Sequence, residues 1–125
     1  MIVGTGIDLV SVGRLKKILD RWGGRFTSRF YSQREIKYCL TKAVPAIHFA
    51  ARFAAKESFL KALGIGIGMG VPLKDIEVVN GPKGKPELVL HHQAEAMLAE
   101  RGIRYTHLSL THTSEQASAV VILEK

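Results

Sequence analysis

The chain has 125 residues, of which 46% are hydrophobic and 23% charged, with 18 Lys and Arg against 11 Asp and Glu. This composition suits one folded domain and excludes a disordered chain. No stretch approaches the roughly 20 apolar residues of a membrane span, and a single cysteine, Cys39, excludes an internal disulfide.

Residues 2–10 predict a strand rich in Ile and Val. Within it, Gly6-Ile7-Asp8-Leu9-Val10 puts the Asp8 carboxylate on one face with Gly6 and Val10. Such a carboxylate is costly unless it is paired, hydrogen-bonded or bound to a metal. An exposed Asp near the strand end, or one capping the next helix, fits the pattern as well. The opening MIVGTGIDLVSV has no basic stretch ahead of a long apolar run, so it does not read as a secretion signal. Cys39 reads as a buried small apolar residue, and the expected location is the cytoplasm.

Ser11 is a candidate N-cap for a helix in which Leu15, Ile18, Leu19 and Trp22 fall at helical spacing and Gly23-Gly24 marks the end. Ser32-Gln33-Arg34-Glu35 is a capping-box pattern that opens a helix through about residue 42. Nine basic residues and two acids lie between Arg14 and Lys42, so this segment carries the whole net charge of +7. A positive field concentrated there favours an acidic partner.

Pro45 suits the first turn of a longer helix that runs to Leu63. Glu57 and Lys61 are spaced i,i+4 on it, which by itself reads as a helix-stabilising ion pair. The small neighbours Ala54, Ala55 and Ala62 let another element or a ligand approach closely. Residues 64–70, GIGIGMG, predict a loop whose amides are available to phosphate oxygens, though neither the Walker nor the dinucleotide pattern fits.

Further on, the pattern predicts strands at 75–80 and 87–90 around a Gly-Pro turn, a helix over 92–101, and strands at 105–111 and 117–123. Helices first and mostly hairpin-linked strands later imply an α+β fold, with helices on one face of a largely antiparallel sheet, as a single domain over 1–125. Val89-Leu90 and Ala119-Val120-Val121-Ile122-Leu123 are more apolar than a half-solvated sheet requires, which suggests that both faces are covered.

Several of these segments together resemble a known family. They are Gly6-Ile7-Asp8-Leu9, Arg52-Phe53-Ala54-Ala55-Lys56-Glu57 with Lys61-Ala62, the glycine loop, Gly84-Lys85-Pro86 and Ser109-Leu110-Thr111-His112-Thr113. Their order and spacing look like the homotrimeric holo-acyl-carrier-protein synthases, of 4'-phosphopantetheinyl transferase fold, along the whole chain. The resemblance implies transfer of phosphopantetheine from coenzyme A to a serine of an acyl carrier protein, releasing adenosine 3',5'-bisphosphate, in support of fatty-acid biosynthesis. It implies Asp8 and Glu57 as Mg²⁺ ligands, with Glu57 or a water it orients as the base and Lys61 at the leaving phosphate. It also implies that Arg52, Lys61, the loop at Gly64 and Gly66, and His112 with Thr113 hold coenzyme A. Arg14, Arg21, Arg25, Phe26 and Arg29 would dock the carrier, and a homotrimer would share its sites between subunits. Physical chemistry agrees with the metal: Mg²⁺ commonly takes one or two protein carboxylates and fills its other positions with water and substrate phosphate.

Two other readings compete. A small basic nucleic-acid-binding module would use the positive segment but leave Asp8, Glu57 and the glycine loop without a task. Another Mg²⁺-dependent nucleotide enzyme would use the carboxylates but not the positive segment.

Overall fold

The computed structural model describes every residue from Met1 to Lys125. Three strands, β1 (Ile2–Ser11), β4 (Tyr105–His112) and β5 (Gln116–Glu124), form an antiparallel sheet in the order β1-β5-β4. The other two, β2 (Ile76–Asn80) and β3 (Pro86–Leu90), form a separate hairpin. The expected single sheet is thus two antiparallel sheets. Ser11 caps α1 (Val12–Trp22) by accepting from the Arg14 amide.

The chain then turns at Gly23 into α2 (Gly24–Phe30), a helix the sequence pattern did not predict. The capping box of Ser32 and Glu35 opens α3 (Gln33–Leu40) with both reciprocal bonds formed. This helix stops two residues before the expected Lys42. The Thr41 hydroxyl bonds back to the Tyr38 carbonyl, and Pro45 just downstream disfavours helical geometry in the residue before it.

The central element is α4 (Pro45–Leu63), which starts on Pro45 and ends on Gly64 at φ 77°. It lies across the inner face of the three-stranded sheet, and the hairpin, α1 and α3 pack around it. Its apolar and small residues therefore run round most of its circumference. Phe59, Leu60 and Leu63 join Val121, Leu123, Ile76 and Val78 in the main core, while Phe49 and Ala50 join Leu15, Tyr31 and Cys39 in a second. The last helix, α5 (His92–Glu100), leads into β4.

Helix α4 crosses β1 at near-contact of the two backbones. A Cβ on Gly6 would lie 1.9 Å from the Ser58 carbonyl oxygen, and one on Gly4 would lie 2.0 Å from that of Ala62. Only glycine permits this approach. The Ser58 hydroxyl donates to the Ala119 carbonyl at 3.0 Å, tying the same turn of helix to β5.

One charged cluster in the interior was not anticipated. Lys56 is wholly buried, and its ammonium donates to Glu35 Oε1 at 2.7 Å, to the Leu73 carbonyl at 2.9 Å and to the Ile76 carbonyl. Glu35 also accepts from the Ser32 and Val78 amides. Burial pulls the Lys56 ammonium down from its ordinary value, and Glu35 opposes that. Four elements, α3, α4, β2 and the short 3₁₀ turn Leu73–Asp75, are joined at this one nitrogen.

Candidate active site

Strand alternation puts Asp8 on one face with Gly6, as the sequence predicted, and the structure shows that this face is the inner one, toward α4, rather than an exposed one. Because the two glycines bring the helix close, Asp8 arrives beside Glu57 and within reach of Lys61 on α4. There Lys61 Nζ lies 3.0 Å from Asp8 Oδ1 and 3.0 Å from the Ile7 carbonyl. The i,i+4 pair of Glu57 with Lys61 is not the contact that forms; Lys61 reaches across to the strand instead. The Ser118 hydroxyl holds the Asp8 carbonyl at 2.8 Å. Burial raises the Glu57 carboxyl above its usual value, the neighbouring Asp8 carboxylate raises it further through charge and a shared hydrogen bond, and Lys61 opposes both.

Two carboxylates beside one ammonium are hard oxygen ligands that could hold a cation. Nowhere do three or more His, Cys, Asp or Glu side chains converge as a metal-binding group. A donor set of two carboxylates suits Mg²⁺, which leaves its other positions to water and phosphate. The cleft in front of them is lined by Asp8 and Glu57 together with Arg14, Ile18, Phe26 and Phe53. Ile18 and Phe26 continue it into a groove with Trp22, Arg25, Arg29 and Phe30. Arg14, Arg25, Phe26 and Arg29 thus border one continuous surface leading to the carboxylates. Arg21 lies at its edge, over the Trp22 ring.

Arg52, His112 and Thr113 lie elsewhere. Residues 52 and 57 are separated by about 140° around an α-helix, so Arg52 emerges on another flank of α4. It is buried, stacks 4.2 Å from the centroid of Tyr38 and donates to Asn80 Oδ1 at 2.9 Å. The His112 ring stands 5.6 Å from that of His48. The Thr113 hydroxyl accepts from the Glu115 and Gln116 amides and so shapes the turn between β4 and β5. The cleft that Asp8 and Glu57 line includes none of these groups. At the loop, the Gly64 amide is already bonded to the Lys61 carbonyl, whereas that of Gly66 meets only the weak acceptor Met69 Sδ.

The model of the 4'-phosphopantetheinyl transferase superfamily matches residues 4–120. The chain belongs to this superfamily. A holo-[acyl-carrier-protein] synthase from Syntrophus aciditrophicus is 60% identical over 124 residues, which cover 99% of this chain and 97% of the relative. The crystal structure of such a synthase from Neisseria meningitidis superposes with a TM-score of 0.92 at 34% identity and full coverage of both chains. A Helicobacter pylori synthase solved in complex with coenzyme A has a TM-score of 0.85 at 33% identity, covering 96% of this chain and 99% of that one.

Membership of the superfamily agrees with the α+β architecture read from the sequence. Sequence reasoning missed Tyr38, Lys42, His48 and Asn80 around Arg52. His48 is one turn before Arg52 on α4 and Tyr38 one turn before Lys42, but nothing local brings these two segments and Asn80 together.

Proposed function

We infer that this chain is a holo-[acyl-carrier-protein] synthase, which moves 4'-phosphopantetheine from coenzyme A to a serine hydroxyl of an apo acyl carrier protein. The carrying observation is the convergence of Asp8, Glu57 and Lys61 where β1 crosses α4. The serine oxygen attacks the phosphorus that bears pantetheine, the pyrophosphate P–O bond breaks, and adenosine 3',5'-bisphosphate leaves.

Glu57 accepts the serine proton, directly or through a water that it orients. Lys61 compensates the charge that builds on the departing phosphate, a role suited to a reaction catalysed mainly by positioning and electrostatics. Asp8 and Glu57 would hold Mg²⁺, and the ion would supply charge stabilisation to the pyrophosphate oxygens. The basic groove of Arg14, Arg25, Phe26 and Arg29, with Arg21 at its margin, opens onto this cleft and would seat an acidic carrier. Arg52, His112 and Thr113, with Gly64 and Gly66 at the loop, would receive coenzyme A.

That division supports a homotrimer with sites between subunits. Ile7 and Leu9 are 66% and 60% exposed on the sheet face away from α4, a surface that suits neighbouring copies. Another copy could also bring its Arg52 flank opposite the Asp8–Glu57 pair.

The test is mass spectrometry of an apo carrier protein incubated with this protein, coenzyme A and Mg²⁺. One phosphopantetheine on one serine is expected, lost in Asp8→Ala and Glu57→Ala with the fold retained. Hydrolysis of coenzyme A with no change in the carrier would overturn the assignment. Light scattering should give three times the chain mass of 13.8 kDa, and mixing Glu57→Ala with His112→Ala chains should restore part of the activity. A species at the single-chain mass, or no recovery after proven exchange, places each site in one chain.

A further inference from the structure

The loop after α4 holds two large apolar side chains in solvent, Ile67 at 53% exposed and Met69 at 61%. Met69 belongs to neither apolar core. It is tied back onto its own loop instead. The Met69 amide donates to the Gly66 carbonyl at 3.3 Å, and Met69 Sδ accepts from the Gly66 amide at 3.1 Å. The neighbouring amides are satisfied by oxygen: Gly64 donates to the Lys61 carbonyl at 2.9 Å and Ile65 to the Leu60 carbonyl at 3.0 Å. A thioether is only a weak acceptor, so the Gly66 amide is covered by sulfur without being firmly held.

We propose that Met69 is an oxidation site whose sulfoxide latches the Gly66 amide. The proposal rests on the reading that this amide receives a phosphate oxygen of coenzyme A. In the reduced chain the sulfur gives way to phosphate, because a charged oxygen is much the stronger acceptor. A peroxide such as hydrogen peroxide transfers one oxygen atom to Sδ: its O–O bond breaks, an S–O bond forms, the sulfur loses two electrons and water leaves. The product is polar, with an acceptor oxygen on a side chain that has three rotatable bonds. From the place where sulfur already meets the Gly66 hydrogen, that oxygen competes with phosphate for the amide. Oxidation thus weakens coenzyme A binding, and methionine sulfoxide reductases reverse it. The remaining sulfur atoms are placed differently. Met97 packs against the main core, Cys39 is buried, and Met1 is exposed ahead of β1.

The test treats the intact protein with graded doses of hydrogen peroxide, locates the added oxygen by peptide mass spectrometry, and titrates coenzyme A calorimetrically before and after. Met69→Leu, which keeps the apolar volume and leaves Met1 and Met97 in place, is treated in parallel. Met69 should gain one oxygen well before Met97. The oxidised wild type should bind coenzyme A about tenfold more weakly, the order of one hydrogen bond to a charged oxygen, and reductase treatment should restore it. Met69→Leu should bind at least as tightly as the reduced wild type and keep that affinity after the same dose. Oxidation of Met69 no faster than Met97 overturns the modification site. Full conversion of Met69 with unchanged affinity, an equal loss in Met69→Leu, or weaker binding by the untreated variant overturns the latch and leaves the coenzyme A reading standing. No binding of coenzyme A by the untreated wild type overturns that reading itself.

Discussion

Replacing Lys56 with methionine tests whether the buried ammonium is a structural pin. The change removes a cation that satisfies the Glu35 carboxylate and the Leu73 and Ile76 carbonyls, all out of contact with water. Deleting one member of a buried ion pair costs about 3–5 kcal/mol, and each carbonyl that loses its donor adds up to about 1 kcal/mol. Methionine keeps most of the volume, so the expected loss is about 4–6 kcal/mol. An unfolding entropy of about 2.1 cal/mol/K per residue gives this 125-residue chain roughly 0.26 kcal/mol/K. The melting temperature should therefore fall by about 15–23 °C. Urea and thermal denaturation at fixed protein concentration measure it. Adding Glu35→Gln should recover part of that loss, because the lone buried charge disappears and Gln still accepts from the Val78 amide, although its NH2 group then faces the Ser32 amide. Turnover per folded molecule should hold, since Lys56 points away from Asp8. A single variant within 1 kcal/mol of wild type, or a double variant no better than the single, refutes the reasoning.

Gly6→Ala should lose at least about 3 kcal/mol and nearly all turnover, because its Cβ meets a carbonyl of the helix backbone rather than a movable side chain; denaturation curves and rate assays with near-normal values would show that the backbone contact is not tight. Arg34 above all, with Ser32 and His91 and against burial, holds the Glu77 carboxyl down at about 2, from 4.5 when unperturbed. Its stabilisation is full above about pH 4.5 and fades as pH falls toward 2. The gap corresponds to roughly 3 kcal/mol, reduced to about 2 by solvent around the exposed Arg34. The stability difference between wild type and Glu77→Gln in urea should accordingly shrink between pH 5 and pH 3, and a constant difference contradicts the assignment. Burial pushes the Cys39 thiol up to about 12, so iodoacetamide at pH 8 should label it only through unfolding; rapid labelling of the native protein would place it at the surface.

The elements set by local chemistry were legible in the sequence. Pro45 and Gly64 bracket α4 as its composition predicted, Ser32 and Glu35 form their capping box, and Asp8 falls on the inner face by simple alternation. Helix α2 was hidden because Gly23-Gly24 reads as an end signal. Its seven residues span too few turns to show a period, and Phe26 and Phe30 find their partner Phe53 only in three dimensions. Nothing in the sequence marked Lys56 and Glu35 as a buried pair, since nothing local announces that α3 and β2 will close over them. The division into a three-stranded sheet and a hairpin depends on pairings of β1 with β5, more than a hundred residues apart. The family resemblance put Asp8 and Glu57 in one site, but the pairing of Lys61 with Asp8 needed the crossing geometry of strand and helix.

The near-contact of Gly4 and Gly6 with α4 acts as a mechanical stop. Where side chains set the spacing of two elements, a core mutation several residues away can alter it by tenths of an ångström. Here main chain rests on main chain, and the spacing of β1 and α4 beneath Asp8 and Glu57 is set by the peptide backbone. Drift or redesign in either apolar core can change stability while leaving the two carboxylates in register. The tolerance of the site is concentrated in two residues that have no side chain to vary.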